Sequence, residues 1–323
     1  MRVEREQPPV QRRHLRLRPR PDPGHGLRAR PGGRVHVATA AVAAVALLGA
    51  CSSSGSGSGS KSGAGAATTT SAQAQATATT REALKPLVQP SSRCGGPSAK
   101  ATLVRFKASD GTSLDGVMVG SGATGVVLVH EYPADLCGFW PFAVYLSHKG
   151  IRAFAIDLRC FGLSACPGGD ARLRVLDDVA AAVAELHRRG VTRVALAGAS
   201  MGAAAVLIAG TTVRPPVAAV AELSGEANPT GLVGGIPLDA GAVVKRLDVP
   251  SMFVVATNDG YAPVDETRAM YKAAKTHDKQ LVVLSGSYDT EHGWNLLSND
   301  PTGVRFTPVA AQVATFLGAH LNG

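Results

Sequence analysis

Ser200 lies in Gly198-Ala199-Ser200-Met201-Gly202, between an apolar run at 194–197 and an Ala-rich run that starts at Met201. G-x-S-x-G between a strand and a helix is a sharp, strained turn that lifts the serine hydroxyl above the sheet. The two glycines are needed because the turn leaves no room for side chains beside its neighbours. A serine hydroxyl attacks only when a base takes its proton, and that base needs a carboxylate to orient it. Three histidines follow Ser200: His277, His292 and His320. His277 sits in a charged helix end and His320 in the terminal helix. His292 lies in Tyr288-Asp289-Thr290-Glu291-His292-Gly293-Trp294, a loop after the last strand, and is the expected base. Asp259, in Thr257-Asn258-Asp259-Gly260-Tyr261-Ala262-Pro263, follows the run 251–256. That places it at the carboxyl edge of a parallel sheet, where sites of such sheets lie. Asp265 reads instead as a helix N-cap, and Asp289 and Glu291 stand too close to His292 in sequence. The chemistry these residues imply is acyl transfer, with Ser200 attacking, His292 moving the proton and Asp259 holding the imidazole. It requires no metal and no cofactor.

The elements that must position them follow from hydrophobic periodicity. Residues 103–107 and 114–119 flank Asp110-Gly111, a hairpin signal. Continuous apolar runs at 125–130 and 151–158 read as strands buried on both faces. Further strands are expected at 194–197, 217–223, 251–256 and 280–284. Helices are expected at 141–148, 176–189, 201–209, 266–275 and 308–321. Strand and helix alternating in this way predict a doubly wound, mostly parallel α/β sheet flanked by helices. The stretch 223–250 is too short for a large cap domain.

Composition bounds the rest. The chain has 323 residues, 45% apolar and 18% charged, enough to build a core. Of its net charge of +9, +7 is carried by residues 1–50, which hold 10 Arg and no Lys against Glu4, Glu6 and Asp22. From residue 51 onward the balance is only +2, so a nucleic-acid partner has no electrostatic footprint. Residues 1–50 read as a signal peptide. Its apolar run, 37–50, is about 21 Å long as a helix, too short for a bilayer core of about 30 Å. The Arg-rich stretch ahead of it is long for a signal, so a start codon placed too far upstream is expected. The run closes as Leu47-Leu48-Gly49-Ala50-Cys51, which resembles a bacterial lipobox, with Cys51 lipidated and the protein held on the outer face of the cytoplasmic membrane; plain secretion is the alternative. Residues 51–93 read as that lipidated cysteine and a flexible linker. Between 52 and 80 Lys61 is the only charge, and such a segment reaches roughly 30 Å.

Four further cysteines, Cys94, Cys137, Cys160 and Cys166, form an even set, which in an exported protein favours disulfides. Cys160 and Cys166 stand six apart in a Gly/Pro-containing loop and are the expected local pair, leaving Cys94 with Cys137. Four free thiols are the alternative. No C-x-x-C or H-x₃-H spacing suggests zinc.

Taken together, residues 94–323 resemble an α/β-hydrolase of capless, dienelactone-hydrolase-like or esterase-like layout. The resemblance implies an oxyanion hole from two backbone amides: Met201, directly after the nucleophile, and Tyr132, in the His130-Glu131-Tyr132 loop. Asp157-Leu158-Arg159-Cys160-Phe161-Gly162-Leu163-Ser164 is similar to the family's D-x-R-G-x-G-x-S turn, with Cys160 in a glycine's place. That departure supports the Cys160–Cys166 bridge. Glu131 also replaces a glycine, and either touches the nucleophile or caps the loop. A serine rather than a cysteine or aspartate nucleophile implies hydrolysis of a small-molecule carboxylic ester. Peptide or amide cleavage, or a non-catalytic binding lipoprotein, are the alternatives. Trp140, Phe161, Tyr261 and Trp294 are candidates to line the pocket.

Overall fold

A computed structural model describes residues 84–298, 300 and 305–323. The expected leader, Cys51 and the segment 52–80 lie outside them. Eight strands form one sheet: β1 Ala101–Lys107, β2 Ser113–Val119, β3 Thr124–Val129, β4 Arg152–Asp157, β5 Arg193–Ala199, β6 Val220–Leu223, β7 Ser251–Ala256 and β8 Lys279–Leu284. Their order is β1-β2-β4-β3-β5-β6-β7-β8. β1 and β2 pair antiparallel, as do β2 and β4, and every later pair is parallel. The hairpin expected at Asp110-Gly111 is the β1–β2 connection.

The helices are α1 Pro90–Arg93, α2 Trp140–His148, α3 Val175–Arg188, α4 Met201–Thr212, α5 Ala240–Val243, α6 Val264–Ala273 and α7 Pro308–Asn322. Side chains of α3, α4 and α6 share one core with one face of the sheet, and those of α2 and α7 share a second core with the other. Runs such as Val126–Val129, fully buried, are apolar throughout because both of their faces are covered. β6 starts at Val220 rather than at 217, after Pro215 and Pro216, which have no N–H to give a central ladder. Between β6 and β7 only α5 and short 3₁₀ turns intervene, so no cap domain is inserted there.

Upstream of Cys94 the chain makes contacts that linker composition did not announce. Arg93 pairs with Asp135 at 2.7 Å and with Asp157 at 2.8 Å. Lys85 Nζ donates to the Gly162 carbonyl at 3.0 Å. Contacts of the packed domain therefore begin before residue 94, with buried Asp157 and half-buried Asp135 holding Arg93 in place.

Cys94–Cys137 and Cys160–Cys166 are both bridged. Cys160 has φ +69°, the left-handed region that favours glycine, in the very slot where the resembled turn carries one. Asp157 accepts the amides of Leu136 and Leu163, and buried Arg159 pairs with Asp178 and Asp110. The turn is thus held by charge-assisted bonds as well as covalently. Opening the bridge should cost about 2 kcal/mol for so short a loop. Cys160→Gly with Cys166→Ser is expected to lose about 1 kcal/mol less than Cys160→Ser with Cys166→Ser, since glycine has no left-handed penalty. Urea unfolding of the two double variants measures this. Equal stabilities would mean that the strain at Cys160 is negligible.

Candidate active site

β5 ends at Ala199 and α4 begins at Met201, leaving Ser200 alone in the turn with φ +49° and ψ −115°. A Cβ at Gly198 would fall 2.2 Å from the Gly202 carbonyl, and one at Gly202 would fall 2.1 Å from the Val129 carbonyl. Both glycines are therefore obligatory, and the turn presses directly on the end of β3. That contact brings the loop carrying Tyr132 beside the serine. Met201 heads α4, where the first amide of a helix has no intrahelical acceptor, whereas the amides of Ala203 and Ala204 already donate to the Ser200 carbonyl.

The loop after β3 is shaped by His130, whose role is not evident from sequence. Its Nε2 accepts the Leu158 amide at 3.1 Å, so the proton sits on Nδ1 and is donated to the Glu131 carbonyl at 2.8 Å. Complete burial pushes its pKa down and keeps the ring neutral. Phe161, from the disulfide-closed turn, packs edge-on against His130 at 5.1 Å and against Tyr132 at 5.8 Å.

His292 Nδ1 lies 2.9 Å from both carboxylate oxygens of Asp259. Asp259 Oδ1 also accepts the amides of Tyr261 and Ala262. Burial would raise this carboxyl, but the imidazole, those amides and the nearby Ser224 hydroxyl outweigh it and hold the pKa below its ordinary value. For His292 burial works downward, and Asp259, Glu131 and Glu226 together raise its pKa. The rival acids take other places. Asp289 accepts from Asn258 Nδ2 at 2.9 Å and from the Asn258 amide through its own carbonyl, joining the acid's loop to the histidine's. Asp265 does not cap α6, which is preceded by Pro263; it is exposed in the first turn and pairs with Arg268. His277 is exposed, and His320 packs on Phe316.

Glu131 lies against the histidine loop. Its carboxyl accepts the Trp294 amide, and a Cβ at Gly293 would fall 1.9 Å from its Oε2. The same Gly293 Cβ would stand 3.6 Å from Ala199, so the histidine loop rests on the residue before the serine. Burial pushes the Glu131 pKa up to about 7. Glu222, fully buried on β6, accepts the Gly225 amide at 2.8 Å and is pushed by burial up to about 8. It closes the turn that carries Ser224, at φ +57°, and Glu226. No sequence pattern marks this support behind Asp259.

Glu131 gives a pH prediction. An anionic Glu131 favours protonated His292, so Glu131→Gln should lower the histidine's pKa. The acid limb of kcat/KM, which reports the free base, is expected to move to lower pH by up to about one unit. A pH–rate profile checks it, and an unmoved limb would remove Glu131 from the histidine's surroundings.

A cleft of about 490 Å³ runs between Pro133–Asp135, Cys160–Gly162 and Trp294, two residues past His292. Phe161 and Trp294 line it, but none of Ser200, Asp259 and His292 does. Trp140 does not: it is buried at the start of α2, its Nε1 donating to the Pro97 carbonyl at 2.9 Å. The helix there takes its ring into the core.

Comparison with known proteins agrees with this fold. The family described as serine aminopeptidase, S33, matches residues 123–228, from β3 through the elbow to the turn after β6. No curated protein sequence matches the chain. Among solved structures, an esterase from Pyrococcus furiosus is similar with a TM-score of 0.58 at 17% identity, over 73% of this chain and 96% of that one. An esterase from Exiguobacterium antarcticum gives 0.54 at 15% identity, over 69% and 100%. A thermophilic esterase from Thermogutta terrifontis gives 0.53 at 19%, over 69% and 100%. Sheet order, elbow and these likenesses agree: the chain has the α/β-hydrolase fold.

Proposed function

We propose that the chain is a serine hydrolase that cleaves carboxylic esters through an acyl-enzyme. The observation that carries this reading is the hydrogen bond between His292 Nδ1 and buried Asp259, on a loop that abuts a strained Ser200 elbow. The Asp259 bond keeps the proton on Nδ1, which leaves Nε2 free to take the serine's. Ser200 Oγ attacks the acyl carbon, and the amides of Tyr132 and Met201 hold the oxyanion. Two preorganised donors of this kind contribute several kcal/mol to the transition state. His292 then returns the proton to the leaving alcohol, and water releases the acyl group by the same steps in reverse. Structural likeness to esterases supports ester over other acyl substrates. The S33 match favours a second reading, amide cleavage by the same groups.

The chain is further read as exported and tethered through Cys51, on the strength of the leader's Leu-Leu-Gly-Ala-Cys ending. Hydrolysis of dissolved p-nitrophenyl acetate, beside the matching anilide, tests the assignment. Faster turnover of the ester, lost in Ser200→Ala, is expected. Turnover of the anilide alone would favour the amide reading.

A further inference from the structure

The hydrogen bond to Asp259 holds one atom of the His292 ring and leaves the ring plane free to turn about it. Nδ1 stands 2.9 Å from both carboxylate oxygens, so no single acceptor sets a direction. The His292 side chain is 18% exposed, which leaves room for that motion. General-base catalysis tolerates little of it, because Nε2 has to stay within hydrogen-bond reach of the serine hydroxyl. A second contact, on the ring itself, removes this freedom. Tyr261 makes one. It was expected to line the cleft but is not among the cleft's residues; its ring lies 4.8 Å from the imidazole, centroid to centroid, with the planes tilted by 49°.

We propose that Tyr261 is a positioning residue, whose ring is the wall that keeps the His292 imidazole aligned for proton exchange with Ser200. The proposal rests on the serine-hydrolase reading. The acid's own loop roots the wall. Asp259 Oδ1 accepts the Tyr261 amide at 2.9 Å and the Ala262 amide at 3.0 Å, so the backbone that fixes the carboxylate also fixes the tyrosine. Asn258, just before the acid, is tied to Asp289, three residues ahead of His292. The two loops are thus joined on one side of the Asp259–His292 bond by Asn258 and on the other by Tyr261. Bond and wall act on different freedoms: the carboxylate holds Nδ1, and the tyrosine ring limits rotation of the plane. The contact is made by the ring, so phenylalanine can replace it and a small side chain cannot. Tyr261 is 66% exposed, so shortening it opens no core.

The test compares the full chain with its Tyr261→Ala and Tyr261→Phe variants on two dissolved esters, p-nitrophenyl acetate and ethyl acetate, and in the rate of fluorophosphonate labelling. Tyr261→Ala should lose about tenfold in kcat/KM on p-nitrophenyl acetate. The loss should be at least as large on ethyl acetate, whose poor leaving group needs the imidazole's proton. Labelling should slow by a similar factor, since the probe also requires a serine activated by its base. Tyr261→Phe should match wild type, and the thermal melts of all three should coincide. A Tyr261→Ala as fast as wild type, or a Tyr261→Phe as slow as Tyr261→Ala, would overturn the proposal. So would a loss confined to p-nitrophenyl acetate, which would make the ring a seat for an aromatic leaving group. A melt lowered in step with activity would assign the loss to folding and overturn it too. If wild type neither cleaves an ester nor takes the label, the hydrolase reading itself fails and the proposal falls with it.

Discussion

Ser200→Ala is expected to lower kcat for a dissolved ester roughly a millionfold, with KM little changed. The hydroxyl is the bond-forming atom in the proposed mechanism, and water is a poor substitute for it. What survives would come from the oxyanion amides and His292, which the substitution leaves in place. Alanine fits the site sterically, since Ser200 is nearly buried and loses only one atom. It keeps the strained φ of +49°, so stability should change little. A fluorophosphonate probe should label wild type and leave the variant unlabelled. Labelling that persists in Ser200→Ala would place the reactive nucleophile elsewhere and sink the assignment.

Asp259→Asn is the second large effect, a loss of about 10⁴ in kcat. The amides of Tyr261 and Ala262 both donate to Oδ1, so an asparagine would turn its carbonyl oxygen to them. Its NH₂ would then occupy the Oδ2 position, 2.9 Å from His292 Nδ1. Two donors cannot share that contact, so the imidazole proton would move to Nε2, the atom that must accept from Ser200. The variant should fold as wild type does, because two of the carboxyl's partners are kept. Steady-state kinetics beside a thermal melt separates the two effects. A loss below about tenfold would move the acid's role to another carboxyl facing the histidine, with Glu226 the first to examine.

Ser200, Asp259 and His292 stand out as candidates in the sequence because each sits where a local pattern changes: a buried strand ends, a turn follows, and one polar residue is left in it. The same periodicity supplied the strands and the doubly wound class, since apolar runs of five or six residues alternate with helical ones. The Cys160–Cys166 pair was legible from spacing, and its geometric reason, a left-handed residue in a glycine's slot, appears only in the structure. Asp265 misled because an acid at a helix start resembles a cap, whereas Pro263 already begins the turn. Trp140 misled because the helix was expected to begin one residue later, and its burial depends on Pro97, more than 40 residues away.

The sequence by itself determined the order of strands and helices and offered Ser200, Asp259 and His292 as the candidate groups. Those are properties of residue type and local period, and a strand-turn-helix is specified by about ten consecutive residues. Tertiary structure alone decided how the parts are held. His130 fixing the loop after β3 through Leu158, Glu131 meeting Gly293 and Asp289 joining two loops are contacts over tens to more than a hundred residues. Such partners are chosen by which chain ends the sheet order brings to its carboxyl edge, and that order follows from burying two apolar faces at once.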